Sequence, residues 1–135
     1  MTDGQFDGLP AADEVVAVVA GMDHGWPRCV GDNRAVVEFG GSDDDCPALP
    51  ASQALFAPSA TPTSIIEPPV EPGTLWIALW NEGRVVAVSS DPALRPAPLV
   101  DILTGVARPQ HLVAHDGSVF LTDFRSGRIL RIDQS

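Results

Sequence analysis

The sequence predicts an all-β chain built from repeated antiparallel strands, and three observations carry that prediction. The first is an internal repeat. Residues 73–88 align with residues 117–132 without a gap, at an offset of 44. Gly73/Gly117, Gly83/Gly127 and Arg84/Arg128 are identical, Trp76/Phe120 and Trp80/Phe124 are aromatic pairs, and Val85/Ile129 and Val88/Ile132 are β-branched pairs. The second is punctuation: 13 Pro and 12 Gly in 135 residues interrupt the chain too often for long helices. The third is composition. Hydrophobic residues at 44% against charged residues at 19% give a chain that folds, and the length allows one domain with one modest core.

Along the chain, residues 13–19 offer Asp13 as a helix cap, but their β-branched content favours a strand. Residues 21–61 read as an irregular region, with Asp43, Asp44 and Asp45 as the solvated tip of a long loop. The spacing of those carboxylates is not that of an EF-hand loop. Residues 62–66 form a strand candidate, and the proline-rich residues 67–72 a stiff connector. Residues 73–88 then read as strand, tight turn, strand, with Gly83 supplying a positive φ. A fourth strand is expected at 98–103. The second unit repeats the plan, with a strand at 109–113 and a hairpin over 117–132 turning at Gly127.

Antiparallel strands recurring about every 40–45 residues suit a β-propeller blade. Propellers close with about 4–8 blades, and a chain of this length holds two to three. The expected architecture is therefore a partial β-propeller, with repeat units at about 62–103 and 109–135. Unpaired strand edges and open apolar faces in such a ring predict self-association or poor folding of the isolated chain.

Charge excludes several functions. All eight basic residues are Arg against 18 acidic ones, for a net charge of -10. With no Lys, a Schiff-base or P-loop lysine is impossible. Nucleic acid and anionic membranes reward basic patches and are not expected partners. No apolar run approaches the roughly 18 residues of a membrane span. Residues 1–10 lack a basic n-region and an apolar h-region, so no signal peptide is expected in this chain.

Cys29 and Cys46 lie 17 apart without a CxxC, and His24, His111 and His115 are not at zinc-finger spacing. His111 and His115 would converge on a helix, but this stretch reads as a strand entering a turn. The cysteines are either two free core thiols or one disulfide. The loop between them is rich in Gly, Asp and Asn and poor in apolar residues, which favours the disulfide and with it an oxidising compartment.

Residues 9–15 (LPAADEV) and 21–31 (GMDHGWPRCVG) resemble the "P-x-DEL…G-x-YGWP-x-C-x-G" segment of the glucose/sorbosone dehydrogenase family. Three later stretches agree in order. Residues 57–65 (APSATPTSI) resemble "AHSAPTGI", and residues 75–81 (LWIALWN) resemble "LFVALHGSWN". Residues 105–132 resemble the closing "GRPVDVAVGPDGALYVSDDRAGRIYRI". The resemblance spans nearly the whole chain and matches the C-terminal third of the family's fold.

The resemblance implies a six-bladed propeller quinoprotein, similar to periplasmic or secreted enzymes. These oxidise the aldose or aldehyde carbon of a sugar with pyrroloquinoline quinone (PQQ) and calcium. It places the catalytic histidine in earlier blades and the calcium-ligating carbonyls just upstream of the match, so no catalytic or metal residue is assigned here. It implies cofactor contacts at Thr63, Asn81 and Arg108. Their ordinary roles would be satisfying a strand, shaping a turn and pairing with a surface carboxylate. Two departures stand out: His24 replaces the family's Tyr in YGWP, and Asn81 stands where some members carry Lys.

Two functions follow as expectations. One is the C-terminal fragment of a PQQ-dependent sugar/sorbosone dehydrogenase, inactive alone. The other is a non-catalytic β-propeller binding module.

Overall fold

The computed structural model describes residues 5–31 and 33–133. The first four residues of the segment read for a signal peptide, and the last two of the second repeat unit, lie outside that range. Among the described residues there is no α-helix; the chain is strand, turn and three short 3-10 turns at Val37–Phe39, Cys46–Ala48 and Pro92–Leu94.

The N-terminal part is more ordered than the irregular region expected from its composition. β1 (Gln5–Phe6) pairs with β2 (Leu9–Pro10), β3 (Glu14–Val15) with β6 (Ala54–Leu55), and β4 (Cys29–Val30) with β5 (Arg34–Ala35). The strand expected over 13–19 shrinks to β3, whose partner β6 lies almost forty residues on. Cys29 and Cys46 form the disulfide, with Cα atoms 5.7 Å apart, both buried. Asp43, Asp44 and Asp45 are exposed, as a loop tip requires.

The repeat produces two antiparallel meanders. β7 (Pro62–Ile66), β8 (Thr74–Leu79), β9 (Arg84–Ser89) and β10 (Val100–Leu103) form a four-stranded sheet in sequence order. β11 (Pro109–His115), β12 (Ser118–Asp123) and β13 (Arg128–Ile132) form a three-stranded one. The β11–β12 turn is Asp116-Gly117, both at positive φ, the two-residue hairpin chemistry that matches strand twist.

Residue alternation then decides the packing. In β8 and β9 both faces are apolar, and both are buried. Trp76, Ala78, Val85 and Ala87 pack with Leu112, Val119 and Leu121 of the three-stranded sheet. Ile77, Leu79, Val86 and Val88 pack with Ala54, Phe56 and Ala60 of the N-terminal segment. The four-stranded sheet is thus the middle layer. The two sheets are also bonded across their first strands: Thr63 donates to the Pro109 carbonyl (3.1 Å), and the Leu112 amide donates to the Ser64 hydroxyl (3.0 Å).

A main-chain clasp adds to this packing. The Val106 amide donates to the Gly83 carbonyl at 2.9 Å. Gly83 lies at φ +65, and a Cβ there would meet the Val106 carbonyl oxygen at 2.4 Å. Its repeat partner Gly127 has the same φ within a degree and open space around it.

Candidate functional site

The three residues that the resemblance singles out converge on one end of the paired sheets. Thr63 lies at the start of β7, Asn81 follows β8, and Arg108 precedes β11. Antiparallel order brings these strand ends together. The Trp80 amide donates to the Thr61 carbonyl (3.0 Å), and the Phe124 amide donates to the Arg108 carbonyl (2.9 Å), so each unit closes this end in the same way.

Arg108 is the chemical centre of the cluster. Its Nη1 donates to the Trp80 carbonyl at 3.2 Å, and its guanidinium carbon lies 5.8 Å from the Trp80 ring centre, within cation–π range. No carboxylate pairs with Arg108 among the described residues, although the chain carries ten more acidic residues than basic ones. The Trp80 ring also meets Phe124 at 5.4 Å, and Phe124 is 64% exposed. The result is a cation backed by indole beside exposed aromatic surface.

Thr63 and Asn81 both make side-chain hydrogen bonds within the protein. The Thr63 hydroxyl bridges the Ala78 and Pro109 carbonyls, and the Asn81 amide donates to the Thr61 hydroxyl at 2.8 Å. The same repeat position of the next unit is the exposed Arg125.

The sequence reading missed three participants. Thr61 is buried at φ +54, a conformation that a β-branched residue adopts only when its surroundings enforce it. The Asn81 amide and the Trp80 N–H hold it there. Trp80 was matched to the family without a role, although its pairing with Phe124 in the repeat was a usable signal.

The third is Asp123, buried at the end of β12 beneath Arg108. Its carboxylate accepts from the Ser126 hydroxyl (2.6 Å), the Arg108 amide (2.9 Å), the Ala107 amide (3.4 Å) and Arg128 Nη2 (3.2 Å). The Ser126 bond is the largest cause holding its pKa far below the usual carboxylate range. The backbone bonds and Arg128 add to it against the opposing effect of burial. Asp123 therefore fixes the backbone on which Arg108 is mounted.

A pKa depressed in the folded state contributes stability above the ordinary carboxylate range, and that contribution is lost as pH falls. The expected result is that Asp123→Asn melts well below the parent at neutral pH. The gap should narrow as pH is lowered from about 5 to about 2. A gap independent of pH in a calorimetric series would show that the charge does not matter.

No group of three or more His, Cys, Asp or Glu side chains is assembled for a metal among the described residues. His111 and His115 lie on the exposed β11, and His115 faces Asp116. At Arg108 the described residues present a cation beside ring faces. A scan of family models, a search of curated proteins and a search of solved structures return no match to the chain.

Proposed function

We propose that this chain supplies the C-terminal blades of a six-bladed, PQQ-dependent sugar or sorbosone dehydrogenase and contributes part of the cofactor rim. The observation that carries this reading is Arg108, a guanidinium stacked on Trp80 with no carboxylate partner among the described residues of an acidic protein. PQQ is planar and carries carboxylates, which fits a cation flanked by aromatic faces. The meander sheets, related by the 44-residue repeat and packed face to face, support reading them as neighbouring blades.

When bound, PQQ would supply the hydride-accepting chemistry. This chain's own residues would bind and orient it: Arg108 would hold a carboxylate, Trp80 backs the guanidinium, and Asp123 and Thr61 hold the strand ends in place. The resemblance puts calcium and the catalytic base on residues that precede this segment. The chain alone is then inactive towards glucose or an aldehyde in a dye-reduction assay with PQQ and calcium. The Cys29–Cys46 disulfide is compatible with a periplasmic or extracellular location.

The test is a PQQ titration followed by Trp fluorescence. Saturable quenching is expected, and Arg108→Ala should weaken it by about tenfold or more, the scale of a charge-assisted bond. Absence of saturable binding by a version completed with the preceding blades would favour the second reading, a non-catalytic propeller module. One observation leans towards that reading: Asn81 stands where a Lys would supply charge, and its amide is committed to Thr61.

A further inference from the structure

One repeat unit has four strands and the other, among the described residues, has three. β9 has β8 on one side and β10 on the other, whereas β13, at the same repeat position, has β12 alone among the described residues. Its outer edge therefore presents main-chain amides and carbonyls of the kind that add a further strand. Burial follows the same difference. The middle four residues of β9 are buried, whereas in β13 Arg128, Ile129 and Arg131 are exposed, Ile129 by 73%.

β10 shows what such a strand has to carry. It lies antiparallel on β9, with Val100 opposite Ala87, Asp101 opposite Val86 and, after a bulge, Leu103 opposite Val85. Ile102 and Leu103 pack on the core between the sheets. The Asp101 carboxylate accepts from Arg84 Nη1 at 2.6 Å, while Arg84 Nε donates to Glu82 of its own turn at 2.6 Å. Arg84 thus uses one nitrogen for the turn and another for the neighbouring strand.

Arg128 repeats that division. Its Nε donates to Ser126, the repeat partner of Glu82, at 2.9 Å, and its Nη2 donates to the buried Asp123 at 3.2 Å. Its Nη1, the atom by which Arg84 holds Asp101, makes no hydrogen bond among the described residues. The Arg128 side chain is 60% exposed, so that nitrogen can be reached from the open edge.

We infer that the β13 edge docks an acidic extended peptide segment, of the pattern aliphatic, Asp or Glu, aliphatic, aliphatic, with its carboxylate on Arg128 Nη1. Main-chain pairing supplies the affinity, and the carboxylate sets the register. A slip of one residue would take the acid away from Arg128 and turn the aliphatic side chains to the opposite face. The aliphatic residues cover Ile129 as Ile102 and Leu103 cover Val85. Recognition of this kind depends on β13 and Arg128 and not on the cofactor site, and it fixes the chemistry of the strand whichever polypeptide carries it.

The probe is a fluorescent peptide of residues 98–104 (PLVDILT), together with its Asp101→Asn and Asp101→Lys versions, titrated into the full chain and followed by anisotropy. Saturable binding of the Asp peptide is expected. The Asn version should bind about threefold to fivefold more weakly, the scale of a partly exposed ion pair, and the Lys version more weakly still. Arg128→Gln in the chain should abolish the difference between the Asp and Asn peptides. Hydrogen exchange should slow at residues 128–132 when the Asp peptide is bound. No binding of the Asp peptide, equal binding of the Asp and Lys peptides, or slowed exchange at β10 in place of residues 128–132 would overturn the inference.

Discussion

Reducing the Cys29–Cys46 disulfide is expected to lower the melting temperature by roughly 10 °C. The bridge closes a loop of 17 residues, and removing such a constraint from the unfolded chain costs about 3 kcal/mol in the chain-entropy model. For a domain of this size each kcal/mol moves the midpoint by roughly 3–5 °C. The segment has few other anchors. β4 and β5 are two residues each, and the 3-10 turns at Val37–Phe39 and Cys46–Ala48 carry no side-chain cap. Calorimetry with and without reductant, with the Cys29→Ala, Cys46→Ala double variant as control, reads the effect directly. An unchanged midpoint would mean that the loop is held by its Asp7 and Asn33 hydrogen bonds instead.

The second large effect is at Trp76. Its ring is fully buried between the sheets, and its Nε1 donates to Glu71 at 3.1 Å. Trp76→Ala should cost about 3–5 kcal/mol, the range for removing a buried large aromatic side chain. Phe120 occupies the same repeat position on an open face. In dilute solution Phe120→Ala should cost about 1 kcal/mol, in proportion to its smaller burial. Chemical denaturation of the two variants compares one repeat position in two settings. Equal losses would show that the open face is covered even in the dilute chain.

These two predictions also mark what was legible in the sequence. The repeat was readable because period-two alternation and turn glycines are local signals, and they located β8, β9, β12 and β13 to within a residue or two. The disulfide was readable from a loop too polar to pack by itself. The pairing of β3 with β6 was not readable. Two-residue strands have no period, and a contact between Glu14 and Leu55 is decided by the surface on which both lie.

At the candidate site, Arg108 was reachable through its resemblance, but its stacking on Trp80 depends on how two sheets meet. Asp123 looks like a surface residue by type. Its position in the alternation after Val119 and Leu121 places it inward, and its repeat partner Leu79 is buried at the same point. The partners that let a carboxylate occupy that point, Ser126 and Arg128, lie in the turn immediately after it.

The Gly83 clasp has a consequence for how the repeat can change. Gly83 and Gly127 are one letter at one place in two copies of a motif, and they share a φ. Only Gly83 is pressed against the main chain of the connector that leads to the next sheet. Its partner there is a carbonyl oxygen, which every amino acid possesses, so the contact dictates sequence on one side alone. Drift at position 127 is limited by backbone strain, whereas drift at position 83 also pushes two sheets apart. Of two identical residues, the one pressed against a neighbouring main chain is the less free to vary.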